Sequence, residues 1–129
     1  CQMIDQLSPN MRGGREGLHR ILALPNPPTA VLFINDWMAM GAMLEAFRLG
    51  IHVPRQLNIV GFDNTKMSED CEPGLSSVDL GFNDLVKHAL KRLNNQITSF
   101  HTPDDVTVAC KLMWRDSIGI APSSISEIS

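Results

Sequence analysis

The stretch Pro28-Thr29-Ala30-Val31-Leu32-Phe33-Ile34-Asn35-Asp36, running on through Gly50 and Val53-Pro54 to Ile59-Val60-Gly61-Phe62-Asp63-Asn64, decides the fold. Ala30 to Ile34 and Leu57 to Phe62 are short apolar runs rich in branched and aromatic residues. Such runs read as strands buried on both faces of a parallel sheet. Between them, residues 37–49 carry charge only at Glu45 and Arg48 and end at Gly50, as a helix ends. Strand, helix and strand in that order predict parallel strands joined by a right-handed crossover. Each strand ends in a polar group, Asn35 or Asp63. Ligands of open parallel sheets lie outside the carboxyl ends of the strands, so this pair marks a candidate small-molecule site.

Working outward, Leu18, Ile21, Leu22 and Leu24 share one side of a predicted helix over 11–24, which Pro25, Pro27 and Pro28 terminate. Asp36 is placed to cap the central helix. That helix is apolar nearly all round, with Met38, Met40, Met43, Leu44, Phe47 and Leu49, and therefore requires cover on more than one side. A second subunit or another helix of the chain would provide it. Residues 66–74 read as a loop and 75–78 as a short strand. Residues 82–97 form the clearest amphipathic helix, with Phe82, Leu85, Val86, Ala89, Leu90, Leu93 and Ile97 on one face. Residues 106–114 read as a last strand, placed at an edge, and 121–129 as a flexible tail. The fold class is α/β: an open, mostly parallel sheet flanked by helices.

A chain of 129 residues has room for one core. With 43% apolar and 19% charged residues and a net charge of −3, it has an ordinary globular composition. The acidic balance argues against a nucleic-acid surface, which needs clustered Lys and Arg; Lys87, Lys91 and Arg92 read as the wet face of a helix. No stretch approaches the ~20 apolar residues of a membrane span. Three cysteines, Cys1, Cys71 and Cys110, are too few and too scattered for a disulfide framework, which suits a reducing cytoplasm. The four histidines have no metal-ligand spacing. No nucleophile elbow, P-loop or dinucleotide fingerprint is present. A catalytic constellation, a metal site and a cofactor are therefore not expected. A start at Cys1 instead of Met reads as a fragment.

Asn supplies donors and an acceptor, and an ionised Asp accepts from several hydroxyl or amino groups. Asn35 and Asp63 together suit a polyol, a sugar or a nucleobase, whereas either residue alone would also suit a loop that merely satisfies its own backbone.

Several segments, in matching order and spacing, carry a family likeness. They are Pro28 to Asp36, Met38-Ala39-Met40-Gly41-Ala42, Gly50-Ile51-His52-Val53-Pro54, Ile59 to Asn64, Pro73-Gly74-Leu75-Ser76-Ser77-Val78 and Leu112-Met113-Trp114-Arg115-Asp116-Ser117. The chain resembles the effector-binding domain of lac repressor/galactose repressor (LacI/GalR) transcription regulators over about residues 12–119. The resemblance implies one lobe, the C-terminal one, of a periplasmic-binding-protein-like fold, spanning 11–120, with 1–10 belonging to the crossover between lobes. It implies that Asn35 and Asp63 hydrogen-bond a small effector such as a sugar or nucleobase-like molecule, and that Phe82 packs against it. It further implies a homodimer with Arg15, Met40 and Cys71 at or near the contact. Operator DNA would be bound only through a headpiece absent from this chain, in the cytoplasm. Leu80 stands where several members have a Gln that reaches the ligand, and Leu7-Ser8-Pro9 replaces an aromatic ligand contact. The alternatives are a lobe of a periplasmic sugar-binding protein, and a phosphoacceptor receiver domain with Asp63 as the acceptor.

Overall fold

The computed structural model describes residues 2–99 and 105–120. The elements, in chain order, are α1 (Met11–Leu22), β1 (Ala30–Leu32), α2 (Asp36–Arg48), β2 (Asn58–Phe62), α3 (Lys66–Asp70), β3 (Ser76–Asp79), α4 (Phe82–Ser99) and β4 (Lys111–Met113). One sheet has the order β1-β2-β3-β4. The first three strands are parallel, with Val31 opposite Ile59 and Gly61 opposite Ser77, and β4 closes the edge antiparallel to β3.

The helices start where side chains can take the orphan N–H groups of a first turn. Asn10 accepts from the Gly13 amide at 3.0 Å to open α1. Asn35, not Asp36, caps α2, its Oδ1 accepting from the Met38 amide at 2.8 Å. Segment 66–74, read as a loop, contains the short helix α3. Its five residues are too few to show a helical period. The predicted strand over 106–114 pairs only over Lys111–Met113, because its partner β3 is itself four residues long. The tail 121–129 lies outside the described residues.

The core lies between one face of the sheet and the α1–α2 pair. Leu18 and Ile21 of α1 meet Met38, Ala39, Ala42, Met43 and Ala46 of α2 and Phe33, Ile59 and Leu75 of the sheet, all buried. The two helices touch backbone to backbone. A Cβ at Gly41 would overlap the carbonyl of Met11, and one at Gly14 would overlap that of Met38. Two glycines at this crossing let α1 and α2 pack at a distance that side chains would prohibit.

The opposite face of the sheet departs from expectation. Among the described residues β1 is covered on one side only: Leu32 is 63% and Ile34 71% exposed, and Leu112 and Trp114 of the far edge are exposed on the same face. The apolar stripe of α4 is also open to solvent, from Leu85 to Ile97. The sequence pattern of β1 is written for cover on two faces and that of α4 for cover on one; the described residues cover one face of β1 and leave the α4 stripe open. No helix among the described residues is long and apolar enough to cross a membrane.

Candidate functional site

At the carboxyl rim of the sheet the chain leaves β2 through a strained turn. Asp63 has φ 107° and Asn64 φ 49°, both in the left-handed region that costs a side-chain-bearing residue energy. The Asp63 amide is held by the carbonyl of Val78 at 3.0 Å. Asn64 is tied on every side: its amide donates to Ser77 Oγ at 3.0 Å, its Nδ2 to Asp79 Oδ2 at 3.2 Å, and its Oδ1 accepts from Arg115 Nη2 at 2.7 Å. The Asp63 carboxylate has no hydrogen-bond or ion-pair partner among the described residues. Burial pushes its carboxyl pKa above the ordinary range, and the nearby charge of Asp36 adds to the rise. The Asp63 carboxylate is thus half-buried and unpaired, on strained backbone.

Asp63 and Phe82 line one polar cavity of about 310 Å³, together with Asn64, Asp79, Gly81, Asn83, Asp84, Ala109 and Lys111. Asn35 stands at the same rim, beyond the end of the neighbouring strand β1, but does not line this cavity. Its Oδ1 is engaged in the α2 cap and its Nδ2 donates to the carbonyl of Pro9 at 3.3 Å. One N–H and one lone pair of Asn35 remain for a ligand.

Asp36, read as the helix cap, has a different role. It is 1% exposed and reaches under the rim, where Oδ2 accepts from the Thr65 amide at 2.7 Å and the Thr65 hydroxyl at 2.8 Å. Its Oδ1 accepts from the Ser77 hydroxyl at 2.6 Å. Gly61 makes this reach possible, because a Cβ there would overlap Asp36 Oδ1. The closing Arg115-x-Ser117 segment is structural too. Ser117 is fully buried, donating to the carbonyl of Ile59 at 2.6 Å and accepting from the Ser76 amide at 2.8 Å, which ties β2 to β3.

Along α2 lies a second concavity of about 460 Å³, predominantly apolar, bounded by Met40, Met43, Leu44, Phe47, Ile51, Val53, Cys71 and Pro73. It brings Met40 and Cys71 together, 31 positions apart in sequence. Phe47 beside it is 86% exposed. Arg15 does not line the groove; it lies on α1 with Nε 3.5 Å from Glu45 Oε2. Glu45, 3% exposed on α2, also meets Arg48 through two hydrogen bonds of 3.0 and 2.5 Å and His19 at 2.7 Å. Its carboxyl is lowered to about 2, first by the Arg48 hydrogen bonds; burial opposes the fall, and His19 adds to it. Phe47, Asp36, Asn64 and Arg115 are the residues that sequence patterns did not single out for these surfaces. Phe47 left a trace in the all-round apolarity of α2 and Asp36 as an expected cap, while Asn64 and Arg115 stood only within segments that carry the family likeness. Among the described residues no group of His, Cys, Asp and Glu is arranged to hold a metal.

Residues 4–118 match the family described as the periplasmic binding protein-like domain. The chain belongs to that family. Relatives of this domain include the HTH-type transcriptional repressor CytR of Escherichia coli K12, 34% identical over 110 residues, and the probable HTH-type transcriptional repressor ExuR of Bacillus subtilis, 36% identical over 110. The alignments take in 84% of this domain's chain but 32% and 33% of those proteins, so the chain spans about a third of their length. Among solved structures, a sugar-binding transcriptional regulator of the LacI family from Escherichia coli, complexed with phosphate, superposes with TM-score 0.78 at 31% identity. That match covers 88% of this chain and 40% of the other. The Escherichia coli transcriptional repressor ascG gives TM-score 0.78 at 29% identity, over 84% and 40%. The domain thus has the fold of LacI-type effector domains, and its homologues are repressors. The match sets aside the phosphoacceptor reading of Asp63.

Proposed function

We propose that this chain forms the C-terminal lobe of the effector-binding domain of a LacI-type transcription regulator. In this reading residues 11–120 make the lobe and residues 1–10 belong to the crossover. The role is binding, not catalysis. The observation that carries it is Asp63: an unpaired carboxylate on left-handed backbone, at the carboxyl end of β2, inside a polar cavity. Asp63 accepts from hydroxyl or amino groups of a small polar effector, a sugar or a nucleobase-like molecule. Asn35 adds its remaining donor and acceptor, and Phe82 offers an apolar wall. The facing lobe supplies the other half of the cleft. The bare sheet face and the open stripe of α4 support a larger unit around this lobe, since apolar areas of that extent are ordinarily covered. Operator contact belongs to a headpiece outside these residues, and the setting is the cytoplasm.

The groove along α2 pairs two copies of the chain. Apolar Met40, Leu44 and Phe47 beside Cys71 form a patch that a twofold-related copy can match with the same residues. Closure of the cleft then biases the dimer between arrangements of different operator affinity.

Calorimetric titration of the full-length regulator with a panel of monosaccharides and nucleosides tests the reading. One of these probes binds, and Asp63→Ala abolishes the signal while the fold persists. Undiminished binding in Asp63→Ala would refute the assignment.

A further inference from the structure

We propose that Asp36 and Arg115 are positioning residues for effector recognition: they clamp the Asp63–Thr65 turn from its two sides and so fix the direction in which Asp63 presents its carboxylate. Helix capping does not account for Asp36, because Asn35 already caps α2. Desolvating a carboxylate to 1% exposure is costly unless its bonds are made. All three donors to Asp36 serve the turn. Thr65 gives its amide and hydroxyl at 2.7 and 2.8 Å, and Ser77, which donates at 2.6 Å, accepts the Asn64 amide with the same oxygen.

Arg115 closes the other side. Its Nη2 donates to Asn64 Oδ1 at 2.7 Å, while Nη1 is anchored on the carbonyl of Leu75 at 2.7 Å and reaches Ser68 Oγ at 3.3 Å. Asn64 and Thr65 are thereby immobilised, and Asp63, joined to them, is held at φ 107° with its side chain unengaged. Left-handed backbone at two successive non-glycine residues persists only where the surroundings over-determine it. The clamp supplies that determination.

The inference rests on the reading of Asp63 as an effector ligand, but its test requires no effector, so the two fail separately. In an isotope-labelled sample of this chain, positive φ at Asp63 and Asn64 gives strong intraresidue cross-peaks between amide and α protons, and the Thr65 amide exchanges slowly. In Asp36→Ala and in Arg115→Met these cross-peaks weaken to the level of ordinary residues. Thr65 exchange accelerates by roughly tenfold or more relative to the amides of β2. Asp36→Asn, which keeps an acceptor for Thr65, restores most of the signature. Leu18→Ala, a core truncation in α1, lowers stability yet retains it. Where Asp36→Ala does not fold, Ser77→Ala removes the link from Asp36 to the Asn64 amide and is read in the same way. Persistence of the cross-peaks in both clamp variants, or their equal loss in Leu18→Ala, would overturn the proposal.

Discussion

Replacing Asp63 by glycine separates function from stability. The native residue sits at φ 107°, where a residue with a Cβ carries strain of about 1–3 kcal/mol. Glycine removes that strain and gives back about 0.5–1 kcal/mol through the larger entropy of its unfolded chain. Charge acts in the same direction. A carboxyl whose folded pKa lies above its ordinary value of 3.8 favours folding when protonated, and that contribution is lost as pH rises through the folded pKa. At pH 7 the ionised Asp63 therefore weighs against the fold. Asp63→Gly is expected to stabilise the chain by about 1 kcal/mol net, a rise of about 4 °C in Tm for this size. Urea and thermal unfolding followed by circular dichroism would measure it. Asp63→Asn, which keeps a side chain tolerant of positive φ, should show the charge component alone, fading as the pH drops below the ordinary carboxylate range. A loss of 1 kcal/mol or more in Asp63→Gly would refute the reasoning, because it would mean that the carboxylate serves its own loop.

Gly41→Ala drives a methyl group into the Met11 carbonyl and should cost about 3 kcal/mol, visible as a large drop in the urea midpoint, whereas exposed Ala23→Gly changes little. Phe47→Glu places charge on an 86% exposed side chain, so folding is unaffected, while sedimentation should show dimer dissociation strengthened by roughly tenfold or more. Met40→Glu acts likewise but also perturbs the core. Glu45, depressed to about 2, contributes stability that is complete above 4.5 and lost as the pH falls toward 2. Glu45→Gln should flatten the acid limb of the stability profile within that window.

Much of the framework is legible in the chain because its signals are local. Two apolar strand runs, a glycine after α2 and the period of α4 each depend on residues within one element. The rim is less legible. Asn35 and Asp36 are both good capping residues, and which one caps depends on contacts of Asp36 with Thr65 and Ser77, 29 and 41 positions away. Arg115 and Ser117 stand in a segment that carries the family likeness, but sequence alone assigns them no role, because their partners, Asn64, Ser76 and Ile59, lie 41 to 58 positions away. The pairing of Met40 with Cys71 in one groove was expected only from the family likeness. The same likeness puts Arg15 at or near a subunit contact; in this lobe it lies outside the groove, on α1, beside Glu45.

The glycine-to-backbone crossing of α1 and α2 has a mechanical consequence. With no side chains between them to yield, the helices behave as one stiff block. α2 is then a lever arm with Asn35, at the carboxyl rim of the sheet, at one end and Phe47 near the other, about 18 Å away at 1.5 Å per residue. Rotating that arm by about 5° at Asn35 swings its far end by about 1.5 Å, the scale on which helix shifts repack subunit contacts. Transmission between the two surfaces thus needs no bending within the lobe, only that it turn as a piece.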